Sequence, residues 1–364
     1  MSVQILGMIG HRLSSETISP IGPIFDKDYI RNFAQAHEDA GFDRILVGYW
    51  SDQPDGFLVT AWAGLATQRI GLLLAHRPGF VAPTLAARKL VTLDRLLDGR
   101  LALNVISGGS NVEQRKDGDF LEHDERYART DEFLDVLKQE WTSEKPFNYK
   151  GQYYQVENAF SAIKSEQKPH LPVFFSGASE AAIRVAAKHA DVYMLWGESL
   201  DKTRELVEQV RTEAAKQGRS IEFSVSLRPI LGRTEEEAWA KAEQILHSAR
   251  ERQEQEGDLE VSLKPESIGA QRLRDTVALG ERVDKRLWTG IAKLVGGGHN
   301  STALVGTPEQ VADALLDYYD LGIRYLLVRG FDPLNDAAEY GQELLPLIRA
   351  KVAARDAETE QRRA

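Results

Sequence analysis

The sequence predicts an α/β fold, a (β/α)8 barrel with insertions, and three observations lead to it. Short apolar, β-branched runs alternate with long amphipathic stretches along the chain. Eight such runs can be placed, each followed by a helical pattern. The 364 residues suit a single barrel domain over 1–364, since barrels commonly exceed 250 residues as one unit.

The elements follow in order. Val3 to Met8 is the first strand, and Tyr29, Phe33, Ala36 and Ala40 share one face of the helix after it. Ile45-Leu46-Val47 is the second strand, with a helix from Asp55 to Thr67. Ile70 to Ala75 is the third, with a helix from Pro83 to Leu97 that Asp98-Gly99 closes. Leu101 to Ile106 is the fourth, followed after a loop by a helix from about His123 to Glu140. Residues 147–168 are rich in Tyr, Asn, Gln and Gly and read as a hairpin-like insertion.

Pro172 to Phe175 is the fifth strand and its helix starts at Ser179. Val192 to Leu195 is the sixth, with a helix from Asp201 to Gln217 stopped by Gly218. Phe223 to Leu231 is the seventh, and Thr234 caps a charged helix to about Glu256. A second insertion, about 257–322, carries Gly296-Gly297-Gly298, read as a lid hinge. Tyr325 to Val328 is the eighth strand. The last helix, near Ala337 to Ala353, leads into a charged tail, 354–364, expected to fray.

Composition excludes several functions. There are no cysteines, hence no disulfides, thiolate metal site or cysteine nucleophile. A net charge of −10 argues against nucleic acid as the main partner. No apolar run is long enough to span a bilayer and no secretory leader is evident, so the expectation is a cytoplasmic protein. No dinucleotide fingerprint follows a strand, no phosphate-binding P-loop is present, and the eight histidines show no metal-ligand spacing. Electrons from a nicotinamide would have to arrive on a diffusible carrier.

In such barrels the chemistry sits at the carboxyl ends of the strands. Gly10-His11 ends the first strand, with His11 either a structural hydrogen-bonding residue or a pocket residue. Ala75-His76-Arg77-Pro78-Gly79 ends the third. Asn104, in the fourth, either satisfies buried backbone groups or holds the edge of a polar ring system. His123 and Tyr127, four apart, share a helical face and belong either to a capping network or to an anion site. Ser176-Gly177-Ala178-Ser179 sets a glycine turn and a serine cap at a helix N-terminus, where phosphate is favoured. Trp196 offers an aromatic wall. Arg77, Arg228 and Arg329 lie near strand ends, where arginine suits a sulfonate or carboxylate, although strand alternation predicts that some of them turn outward.

Further segments join these: Pro83-Thr84-Leu85-Ala86-Ala87-Arg88, Thr92-Leu93-Asp94-Arg95-Leu96, Gly118-Asp119-Phe120-Leu121, Leu195-Trp196-Gly197-Glu198, Leu287-Trp288 and Thr302-Ala303-Leu304-Val305-Gly306. Together they resemble the bacterial luciferase-like flavin monooxygenases, most closely the FMNH2-dependent alkanesulfonate monooxygenase branch. The resemblance implies FMN across the barrel mouth, with Ala75 against the ring, Asn104 at its edge, and His123, Tyr127, Ala178 and Ser179 toward the phosphate. It implies that His11 and Trp196 line the substrate pocket, and Arg228 is the candidate anion anchor. It implies further a separate NAD(P)H-dependent flavin reductase, O2, a small organosulfur substrate and a homo-oligomer, dimer or tetramer. No metal is expected. Departures fall on the substrate side. Gln53 stands where the branch has a cysteine, Ser226-Leu227-Arg228 replaces an arginine-leucine-histidine pattern, Phe331-Asp332-Pro333 replaces tyrosine-proline-histidine, and only Lys293 lies near the position of the lid arginine. Rival readings are a non-sulfonate substrate, a deazaflavin-dependent oxidoreductase, and a flavin-binding protein without turnover.

Overall fold

The computed structural model describes residues 3–256 and 267–363. The first half of the barrel is β1 (Gln4–Ile9), α1 (Lys27–Asp39), β2 (Arg44–Val47), α2 (Gly56–Leu65), β3 (Gly71–His76), α3 (Pro83–Leu96) and β4 (Leu101–Val105). A short α4 (Asn111–Lys116) precedes α5 (His123–Thr142), and β5 (Phe147–Lys150) pairs antiparallel with β6 (Gln155–Ala159) as the expected hairpin. Then come β7 (Val173–Ser176), α6 (Glu180–His189), β8 (Val192–Trp196), α7 (Leu200–Lys216), β9 (Glu222–Leu231) and α8 (Glu235–Glu256).

The second insertion holds α9 (Ile268–Ala278), β10 (Arg282–Val283), β11 (Leu287–Trp288), α10 (Gly290–Leu294), β12 (Ala303–Gly306) and α11 (Pro308–Asp320). Its positions 257–266 lie outside the described residues. The chain ends with β13 (Ile323–Val328), α12 (Pro333–Glu339), one π-helical turn (Tyr340–Leu344) and α13 (Leu345–Arg363). The helix therefore continues through the charged tail, where fraying was expected from about residue 354.

Strands β13, β1, β2, β3, β4, β7, β8 and β9 pair in parallel in that order, and β9 pairs back to β13, so the sheet closes as a (β/α)8 barrel. Closure removes the sheet edges that would otherwise expose unpaired backbone. β12 extends the sheet outward from β9, with Ala303 opposite Arg228.

Strand alternation sorts the core in two. Ile5, Ile45, Leu72, Leu74, Leu103, Val173 and Val225 face the helices. Leu6, Leu46, Leu73, Ala75, Ala102, Phe174, Val192 and Leu327 fill the barrel interior, and Phe174 meets Tyr325 edge-on at 5.4 Å. Each large side chain so buried contributes about 1.5–3 kcal/mol of transfer free energy. The inner face thus ends upward in the positions that follow those residues at spacings of two.

On α1 the buried residues are Ile30, Phe33, Ala34 and His37, a stripe rotated from the expected Tyr29, Phe33, Ala36 and Ala40. Asp26 caps this helix, accepting from the Asp28 and Tyr29 amides, and so fixes its start at Lys27.

Candidate active site

Period-two geometry decides where the three strand-end arginines point. Arg77 follows inward Ala75 by two, Arg329 follows inward Leu327 by two, and Arg228 follows Ser226, which is in register with Trp196 and Leu327. All three share the inward parity, which corrects the expectation that some turn outward. His76, between Ala75 and Arg77, points the other way and packs between Phe57 and Phe133.

One corner of the mouth presents a capped helix N-terminus, whose chemistry suits an anion. Gly177 follows β7 with φ +131°, and Ser179 caps α6, accepting from the Ala182 amide at 3.2 Å. The remaining first-turn amides of a capped helix point outward, and the dipole favours negative charge there. Tyr127, buried on α5, brings its hydroxyl to Ser179; burial pushes that phenol up to about 12, so it stays a neutral donor. Tyr193 donates to the Gly177 carbonyl and pins the turn. His123 stacks edge-on against Tyr127 at 4.9 Å but is 43% exposed and bonded to Asp124 Oδ1 at 2.7 Å. Glu125, not Asp124, closes the helix start by accepting from the Glu122 amide at 3.0 Å. Arg126 ties down the preceding loop through Leu121 O and Asn111 Oδ1 at 2.6 and 2.8 Å. The capping reading of this segment is realised by Glu122, Glu125 and Arg126, and Tyr127 faces the Ser179 cap.

Next to this corner Ala75 and Asn104 are register neighbours on β3 and β4, with Phe174 beyond them on β7. Asn104 is buried, and its Oδ1 accepts no hydrogen bond. The orphaned amide oxygen beside a small alanine is an unmet acceptor, and a bound group that donates there would satisfy it. Together with the helix terminus, these residues fit a planar ring carrying a phosphate.

Across the mouth the charges are paired. Arg228 is only 1% exposed: Nη1 meets Glu16 Oε1 at 2.7 Å, Nη2 donates to the Gly330 carbonyl at 2.7 Å, and the Phe331 ring lies 3.4 Å from its Cζ. Arg329 Nη2 reaches the same Glu16 oxygen at 3.1 Å. Burial alone would raise the Glu16 carboxyl, but the two guanidiniums outweigh it and hold it well below the usual range. Arg228, expected as an anion anchor, is one member of a triad, because a buried guanidinium needs a counter-ion. Arg77 is likewise matched, by Glu113 at 2.7 Å, and stacks on Tyr49 at 4.7 Å, while its Nε and Nη1 have no hydrogen-bond partner.

His11 stands half-buried at the β1 end, its basicity lowered by burial and by Arg12, so it adds no charge at neutral pH. Trp196 lies beneath α9, where a Cβ on Gly269 would meet its ring at 3.2 Å. α9 is held down by Arg272, which donates to both Glu198 oxygens at 3.0 and 2.7 Å. Gly297, in the glycine run, packs against the α9 backbone, with the Ala270 carbonyl 2.6 Å from its would-be Cβ.

Reading the sequence missed Glu16, Glu113 and Arg272. Glu16 sits in the loop after β1 and Glu113 on the short α4 after β4, in the connections where function concentrates in barrels, and that position was the one signal available. Away from the mouth, Asp131, Asp135 and His189 converge, but Lys188 Nζ already sits 2.9 and 2.8 Å from the two carboxylates. Among the described residues no helix is long and apolar enough to cross a membrane.

The sequence profile of the luciferase-like monooxygenase family matches residues 1–325. The chain belongs to that family. Membership makes it a luciferase-like monooxygenase, and solved structures of the same fold cover almost all of it. A riboflavin lyase, RcaE, with modified FMN and its substrate riboflavin has a TM-score of 0.79 at 21% identity, over 96% of this chain and 92% of that one. The EDTA monooxygenase EmoA from Chelativorans sp. BNC1 has a TM-score of 0.77 at 19% identity, over 96% and 94%. DmoA from Hyphomicrobium sulfonivorans has a TM-score of 0.75 at 22% identity, over 96% and 88%.

Proposed function

We propose that this luciferase-like monooxygenase is the oxygenase of a two-component cytoplasmic system that takes reduced FMN from an NAD(P)H-dependent reductase. Its substrate is a small organosulfur compound, in this reading a sulfonate, and it works as a homo-oligomer. The carrying observation is that a phosphate cradle and a cationic triad face one barrel mouth, the cradle at Gly177, Ser179 and Tyr127 and the triad at Arg228, Arg329 and Glu16.

Bound reduced FMN, with O2, supplies two electrons and the oxygen atom transferred. For a sulfonate the balance is R–CH2–SO3⁻ plus FMNH2 and O2 giving R–CHO, sulfite, FMN, water and a proton. One oxygen atom ends in the aldehyde and the other in water, while the C–S bond breaks. The chain's own groups position and shield. The Ala178 and Ser179 amides with Tyr127 and His123 would hold the phosphate, and Ala75 and Asn104 would bound the ring. His11 and Trp196 wall the substrate space, and Arg228 and Arg329 draw its anionic end. α9, latched over Trp196, keeps water out, which protects reactive oxygen chemistry from wasteful decay.

The test supplies purified protein with FMN, a generic flavin reductase and NADH in air, and measures sulfite across methane-, longer alkane-, hydroxy- and sugar sulfonates. Sulfite from one substrate class supports the reading. Tight binding of reduced FMN without sulfite from any member sinks the sulfonate assignment, and turnover with a reduced deazaflavin instead of FMN sinks the cofactor assignment.

A further inference from the structure

We infer that Glu16 sets the charge of the substrate this pocket accepts: by cancelling one of two inward guanidiniums it tunes the mouth to a single negative charge. The inference rests on the proposed function for the identity of the pocket, and it deepens that reading by naming a specificity residue.

Arg228 and Arg329 would carry two positive charges side by side at the barrel mouth. Glu16, held ionised by both, meets them through one oxygen at 2.7 and 3.1 Å, and the triad is left with a net charge of +1. The carboxylate is fixed in place by its own loop. The Thr17 hydroxyl donates to the Phe331 carbonyl at 3.2 Å, and Arg252 donates to the Ser15 carbonyl. Phe331 covers one face of Arg228 and the Gly330 carbonyl takes an edge, but Arg228 Nε keeps a buried donor without a partner. Glu16 itself is 26% exposed on its side chain and Arg329 also 26%, so the triad borders the open mouth.

A single residual charge in a poorly solvated site offsets the desolvation of a monoanion. It cannot offset that of a dianion, whose desolvation rises steeply with charge, and it gives a neutral sulfone no electrostatic gain. The accepted class is therefore a monoanion such as a simple alkanesulfonate.

The experiment titrates ethanesulfonate, 1,2-ethanedisulfonate and ethyl methyl sulfone, anaerobically, into protein holding reduced FMN, by calorimetry. The native chain should bind the monosulfonate at least tenfold more tightly than the other two. Glu16→Gln should erase the preference over the disulfonate, a shift of roughly tenfold in the ratio. Glu16→Asp should restore the ratio even if absolute affinities fall, which keeps the test valid should the amide variant be poorly folded. A ratio unchanged in Glu16→Gln, or equal loss for all three ligands, overturns the inference. Shifted ratios in a protein that releases no sulfite would leave the charge role standing and remove the proposed reaction.

Discussion

The Tyr127 hydroxyl lies 2.6 Å from the point where a Cβ on Gly177 would stand, and the methyl of Ala182 lies 2.8 Å from it. No side chain fits that turn, whose φ of +131° is in any case a conformation L residues avoid. Gly177→Ala should push Tyr127 away from Ser179 and weaken reduced-FMN binding at least tenfold. It should also destabilise the fold by about 1–3 kcal/mol. Fluorescence titration and urea melts read the two effects. Unchanged flavin affinity would dissociate this turn from the cofactor.

The pairing of Arg228 with Glu16 makes a separate claim on stability. Removing one partner of a buried pair strands the other, at a cost on the order of 3 kcal/mol. Glu16→Gln should be destabilised by that amount, because it leaves two neighbouring guanidiniums without their shared counter-ion, and Arg228→Met by less, because Glu16 keeps Arg329. Combining the two should recover at least 1 kcal/mol relative to the sum of the singles. Strict additivity in the melts would show that the 2.7 Å contact carries no coupling.

The barrel itself was legible because eight β-branched runs bury one face against helices, and that demand is written locally. The glycine turn and serine cap before α6 were legible too, since both are local signals: Gly177 takes a φ of +131° and Ser179 caps the helix. The arginines were harder. Their parity depends on strand frame, and a shift of one residue at β3, β9 or β13 reverses every assignment. Glu16 and Glu113 were harder for a different reason: each pairs with an arginine distant in sequence, Glu113 across the neighbouring strands β3 and β4 and Glu16 across the closure of β9 and β1 on β13. α4 escaped because Ser107-Gly108-Gly109-Ser110 reads as loop, although Ser110 caps it.

Two buried histidines make stability depend on mildly acidic pH. His37 and His76 are each held down to about 4 from an ordinary 6.5 by burial, with His76 lowered further by Lys89. A depressed pKa means the unfolded chain binds the extra proton first. The contribution is therefore complete above about pH 6.5 and is lost as pH falls toward 4, with a slope of about 1.4 kcal/mol per unit for each histidine. Urea midpoints should drop clearly between pH 7.5 and 5, and His37→Leu should flatten part of that slope. Equal slopes in the variant and the native chain would exclude His37 as a source.

The cover over Trp196 gives the last test. Arg272 grips both Glu198 oxygens and also donates to the Lys202 carbonyl at 2.8 Å, so one side chain fastens α9 to the loop after β8 and to the first turn of α7. Burial pushes the Glu198 carboxyl up while Arg272 pulls it back, so losing the arginine leaves a poorly solvated acid without its counter-ion. Arg272→Ala should speed amide exchange across residues 268–278 at least tenfold, and Arg272→Lys, a point charge without the fork, should fall between. If α9 keeps water from the reaction, the same variants should divert more of the reduced flavin into hydrogen peroxide instead of product, in the same rank order. Fast exchange with coupling unchanged would mean that α9 opens without consequence, and that Trp196 is shielded by something else.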